Sequence, residues 1–114
     1  MIRRNGEHPV EKRENMRGGN GTVEITALEK ELLPAQCRLF SKIVLRPGCS
    51  IGVHEHTGEA EMFYFASGEG TVTDDGVKIA VKAGDSMTTP SGHTHGMENT
   101  GSEDLVIIAA IARD

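Results

Sequence analysis

Tryptophan is absent from this 114-residue sequence, and one Tyr and three Phe bring the aromatic content to only 4%. No stripe of Lys and Arg is interleaved with aromatic side chains, and the formal net charge is −5, so nucleic acid is a poor electrostatic partner. No apolar run approaches the length of a membrane span. Arg3, Arg4, Lys12, Arg13 and Arg17 could open a targeting segment, yet no apolar stretch follows them, so no signal peptide is expected and the expected compartment is the cytoplasm. The two cysteines, Cys37 and Cys49, are not in CxxC spacing, which argues against a thiolate zinc site and for free, reduced thiols. Helical periodicity is almost wholly lacking, and no internal repeat is present.

What the chain has instead is glycine, 14 residues of it, and short strand-sized segments bounded by turn residues. Val23, Ile25 and Ala27 alternate with polar neighbours, and a longer β-rich stretch runs from Gln36 to Arg46 before Pro47-Gly48. Ser50 to Glu55 and Glu61 to Ala66 follow as strands, separated by a loop at Thr57-Gly58-Glu59. The clearest hairpin joins Thr71–Thr73 to Val77, Ile79 and Val81 through Asp74-Asp75-Gly76, and Leu105 to Ala112 closes the chain as an apolar strand. Glu29 to Leu33 is expected to make one helical turn that Pro34 stops. The fold class is all-β, and the length allows one domain: a polar, irregular N-terminal arm over residues 1–21, ending in Gly18-Gly19-Asn20-Gly21, and a barrel or sandwich over 22–114. The arm is expected to lie along the barrel or against a partner subunit.

Four of the five histidines fall into two clusters, His54-Glu55-His56 and His93-Thr94-His95. Residues two apart on a strand point to the same side, so His54 and His56 share a face, Glu61 can reach them across a short loop, and His95 arrives from a separate strand. Three imidazoles and a carboxylate suit a divalent transition metal. Taken alone, the same residues also fit surface histidines with scattered glutamates.

The surrounding spacing separates the two readings. Gly48, five residues, His54, one, His56, four, Glu61, six, Gly68 resembles the first motif of the cupin superfamily; Gly84, five, Pro90, one, Gly92, two, His95, three, Asn99 resembles the second. That resemblance implies a double-stranded β-helix, or jelly-roll, with one metal ion on His54, His56, Glu61 and His95. In the family the carboxylate falls where Ala60 and Glu61 stand here, so Glu59 is not expected to be a ligand. Asn99 is expected to cap a turn through side-chain-to-backbone bonds. His93 shares the parity of His95 and is a candidate for contact with substrate, or a solvent-facing residue. Phe63 and Phe65 share a face with Glu61 and are expected to wall the pocket.

Glu14-Asn15-Met16-Arg17-Gly18-Gly19, Arg38-Leu39-Phe40 and Pro47-Gly48-Cys49-Ser50-Ile51-Gly52 further resemble short bacterial and archaeal cupins described as oxalate-binding or oxalate-decarboxylase-like. The resemblance implies manganese as the usual ion, although the donor set also accepts iron, zinc, nickel, cobalt or copper. It implies a small carboxylic acid such as oxalate as ligand, with Arg38 helping to neutralise it from the rim. Single-barrel cupins commonly pair, so a homodimer is expected. The chain departs from true oxalate decarboxylases in being one barrel without an evident lid bearing a catalytic acid. That counts against decarboxylation and leaves acid binding open. Three functions are therefore in contention: a metal-dependent decarboxylase, isomerase or dioxygenase; a non-catalytic sensor or carrier; and a barrel in which the metal is purely structural.

Overall fold

Alternation of apolar and polar residues carries most of the architecture. The computed structural model describes residues 1–114 and contains ten strands: β1 (Val10–Glu14), β2 (Thr22–Glu29), β3 (Cys37–Leu45), β4 (Ser50–Glu55), β5 (Glu59–Ser67), β6 (Glu69–Asp74), β7 (Val77–Lys82), β8 (Ser86–Thr89), β9 (Thr94–Glu98) and β10 (Leu105–Arg113). They form two antiparallel sheets, one of six strands in the order β1-β2-β3-β10-β5-β8 and one of four in the order β4-β9-β6-β7. Each sheet turns alternate side chains inward, as the two-residue period of a strand requires. The core between them includes Val23, Ile43, Leu45, Phe65, Val72, Leu105 and Ile107. The chain is thus an all-β jelly-roll. No helix is long and apolar enough to cross a membrane.

The expected hairpin is present. Asp74 pairs with Val77 across Asp75 (φ 51°) and Gly76 (φ 88°), two consecutive left-handed residues as a tight hairpin turn needs. Asn99 is fully buried and ties down the β9–β10 connection: its Nδ2 donates to the carbonyls of Leu45 and Glu103, both at 2.7 Å, and its Oδ1 accepts from the Gly101 N–H at 2.9 Å.

Two expectations need correction. The arm is not irregular throughout, because Val10–Glu14 pairs along β2 as an edge strand and a single 3-10 turn follows at Met16–Gly18. Every residue of β1 is exposed, so the strand carries no burial alternation to reveal it. Glu29–Leu33 is not a helical turn. Glu29 ends β2, and its carboxylate accepts the backbone N–H groups of Lys30, Glu31 and Leu32 at 2.9–3.0 Å, which ties the segment into a bend instead.

Candidate metal centre

His54 sits on β4, Glu61 on β5 and His95 on β9, while His56 follows directly after β4. The register pairs His54 with His95 across the β4–β9 ladder, so the clusters that lie far apart in sequence become neighbours. One donor atom from each of His54, His56, Glu61 and His95 lies within 4.8 Å of all the others. His54 Nε2 is 3.1 Å from His95 Nε2, His56 Nε2 is 2.8 Å from Glu61 Oε1, and His95 Nε2 is 3.4 Å from Glu61 Oε1. Neighbouring donors around an ion with bonds of about 2.1 Å stand about 3 Å apart, so the spacing suits coordination.

Each imidazole is held from behind at Nδ1. His54 Nδ1 is 2.8 Å from the Gly52 carbonyl, His56 Nδ1 is 2.9 Å from Glu59 Oε2, and His95 Nδ1 is 2.8 Å from Thr89 Oγ1. A carbonyl and a carboxylate can only accept, so His54 and His56 carry their protons on Nδ1 and turn the Nε2 lone pair toward the centre. Glu59 in turn is gripped by Arg38 at 3.0 and 2.6 Å, and this holds its carboxyl below the ordinary range. A relay of Arg38, Glu59 and His56 therefore orients one candidate ligand.

The buried electrostatics call for a cation. His56 Nε2 has no hydrogen-bond partner although it faces Glu61 Oε1, an arrangement of two acceptors. If the Thr89 hydroxyl accepts from His95 Nδ1–H, His95 also turns a lone pair toward that of His54. Burial lowers both of these imidazoles, His95 to about 3, with the charge of Arg17 adding to the effect in each. They stand neutral, as metal binding requires. Burial raises the Glu61 carboxyl, against the pull of His56 and Arg38. A divalent ion among these atoms would convert facing lone pairs into bonds and stabilise the carboxylate. The residues fit the metal.

The four side chains line a cavity of about 110 Å³ whose walls include Ile43, Ile51, Phe63, Met97 and Ile111. Phe63 is in place, and its ring lies 5.1 Å from that of His95. Phe65 is not in the wall. It is fully buried in the core, two residues further along β5 than Phe63, and does not line the cavity. Arg38 lines the cavity but is already bound to Glu59. His93 lies elsewhere: β9 begins only at Thr94, so strand parity does not reach it, and its Nδ1 is 2.7 Å from Asp75 on the outer surface.

The sequence led to an arm lying along the barrel but assigned it no part in the site. Glu11 and Arg13 from β1, with Met16 and Arg17 from the 3-10 turn, close one side of the cavity. The signal was present in Arg13 and Arg17, which look like the basic part of a terminal segment until the arm folds back.

Two facing antiparallel sheets around a cluster of three histidines and one glutamate, His54 half-buried and the other three buried, define a β-barrel able to bind a metal ion. Residues 41–111 match the family model for the cupin domain, and the chain belongs to that family. It is 45% identical over 112 residues to an oxalate-binding protein of Thermotoga maritima, covering 97% of this chain and 93% of that one. It is 31% identical to an uncharacterised protein of Methanocaldococcus jannaschii, over 78% of this chain and 71% of the other. The crystal structure of a predicted oxalate decarboxylase from Thermotoga maritima superposes with a TM-score of 0.94 at 43% identity, over the whole of both chains.

Proposed function

We propose that this protein binds a small carboxylate, oxalate foremost, through a divalent ion held on His54, His56, Glu61 and His95, with manganese as that ion. The observation that carries the proposal is the convergence of four donors, His54 half-buried and the other three buried, in the lining of a small cavity whose exposed rim carries Arg13, Arg17 and Arg38. A bound divalent ion supplies a Lewis-acidic centre with positions for carboxylate oxygens. The guanidinium groups add positive charge where the anion enters, and the apolar walls limit its size. The similarity to an oxalate-binding protein supports the same ligand class.

Binding is favoured over turnover by the makeup of the cavity. Beyond the four donors, Glu11 is the one carboxyl or imidazole group in its lining, and Glu11 is paired with Arg13 at 3.0 Å. Calorimetric titration of oxalate into manganese-loaded and metal-stripped protein tests the proposal. Binding is expected in the loaded protein and its loss in the stripped one; equal binding in both would overturn it. Conversion of labelled oxalate to formate and carbon dioxide would replace a binding protein with an enzyme.

Two copies are proposed to pair through the outer face of the six-stranded sheet. Phe40, Met62 and Tyr64 are exposed there at 40%, 43% and 50%, and the register places Ala110 between Phe40 and Met62 and Ile108 beside Tyr64. Such a contiguous apolar patch suits a self-complementary contact. Light scattering is expected to give a dimer for the wild type and a monomer for Tyr64→Glu, a weakening of about 100-fold or more. A monomeric wild type at high micromolar concentration would exclude the pairing. The free thiols of Cys37 and Cys49 fit a reducing compartment, and the cytoplasm is the proposed location.

A further inference from the structure

Three guanidinium groups stand at the cavity, and two are spoken for. Arg38 makes a two-pronged bond to Glu59, and Arg13 is bound to Glu11 at 3.1 and 3.0 Å. Arg17 has neither an ion-pair nor a side-chain hydrogen-bond partner, although it lines the same cavity as the four metal-ligating side chains.

Its backbone is unusual as well. Arg17 adopts φ 56°, ψ 30°, the left-handed region, and Asn15 two residues earlier has φ 50°. Asparagine visits this region readily, whereas a long side chain such as arginine is disfavoured there. Were only the turn at stake, glycine would serve better at position 17. The surrounding structure holds the strained turn in place. Gly18 N–H donates to the Asn15 carbonyl at 3.0 Å, Gly19 N–H to the Met16 carbonyl at 2.9 Å, and Ser50 N–H to the Asn20 carbonyl at 2.8 Å. The Asn20 N–H reaches Ser50 Oγ at 2.8 Å, and Asn20 Nδ2 donates to the Gly48 carbonyl at 2.9 Å. Gly19 and Gly52 let the turn and β4 approach so closely that a Cβ on either would overlap backbone of the other. The turn is thus anchored to the strand that carries His54, and strain maintained at a binding site is a mark of function.

We propose that Arg17 grips the carboxylate oxygens that the metal leaves free, and so sets a preference for dicarboxylates over monocarboxylates. The inference rests on the metal-dependent carboxylate site proposed above. A guanidinium offers two parallel N–H donors that match a carboxylate edge, and one without an internal partner loses no existing ion pair on binding the anion. A ligand with a single carboxylate, spent on the ion, gains nothing from it.

The test compares oxalate with acetate, titrated into manganese-loaded wild type, Arg17→Asn, Arg17→Lys and the charge-matched surface control Lys78→Gln. Asparagine tolerates the left-handed backbone, so Arg17→Asn keeps the turn, and Arg17→Lys keeps the charge should that variant not fold. Metal stoichiometry is expected to stay unchanged throughout. Arg17→Asn is expected to weaken oxalate about 10- to 100-fold, Arg17→Lys by less, and acetate to change little. Unchanged oxalate affinity in Arg17→Asn would overturn the inference, as would an equal fall for oxalate and acetate or the same loss in Lys78→Gln. If metal-loaded wild type binds neither anion, the carboxylate site itself falls, a failure distinct from one confined to the variants.

Discussion

Replacing His56 by alanine is expected to remove the thermal stabilisation that a divalent ion confers on this protein. With free ion at about a hundred times its dissociation constant, binding to the folded state alone contributes about 2.7 kcal/mol. For a domain of this size that raises Tm by about 10 °C. His56 is 6% exposed, its Nδ1 is fastened to Glu59, and its Nε2 has no hydrogen-bond partner. Truncation at Cβ deletes that donor and leaves the Arg38–Glu59 pair with nothing to orient, so the remaining three donors should hold the ion far more weakly. Melting curves with manganese and with chelator check this. The expected gap is about 10 °C in the wild type and close to zero in His56→Ala. His93→Ala should keep the full gap, because His93 faces Asp75 outside the cavity. An undiminished gap in His56→Ala would remove His56 from the site.

Gly52→Ala is expected to detach the arm from the barrel. A Cβ at Gly52 would overlap the Arg17 carbonyl oxygen and lie 2.8 Å from its carbon and 3.1 Å from Gly19 N. These are backbone atoms, so no flexible side chain can swing aside to make room. Relief requires the 3-10 turn at Met16–Gly18 to lift off β4, giving up the hydrogen bonds through Asn20. Overpacking of this kind costs about 1–3 kcal/mol. Trypsin cleavage at Arg17 should become about tenfold faster or more, since local opening governs access. Oxalate affinity should fall with it, because Arg13 and Arg17 leave the cavity. Val53→Ala, at an exposed neighbouring position on β4, should show none of this. Cleavage and melting identical to wild type would mean that the arm is not anchored at Gly52.

Both expectations concern parts of the molecule that were unequally legible in the sequence. His54, His56, Glu61 and His95 stand out because the H-x-H parity on one strand coincides with a spacing of glycines and a proline that resembles the two cupin motifs. The structure brings those four together within 4.8 Å. The Asp75-Gly76 hairpin was equally plain, since the turn chemistry is local. The basic charge of Arg17 was visible, but its place at the cavity was not, for no local rule puts an arginine in a left-handed turn.

The sequence by itself determined the all-β class and the inward-facing strands, because each follows from a period of two or from turn residues close along the chain. The candidate set His54, His56, Glu61 and His95 came from the resemblance of its spacing to the two cupin motifs. Only the tertiary structure decided that Phe65 belongs to the core, that His93 faces Asp75, and that Glu59 stands behind His56 with Arg38. It alone folded the exposed strand β1 and the Asn15–Gly19 turn back over the cavity. The physical reason is one of range. Alternation records which face of a strand is buried, whereas the fit of the arm depends on two glycines, Gly19 and Gly52, that are far apart in sequence and whose backbones touch only after the sheets have closed.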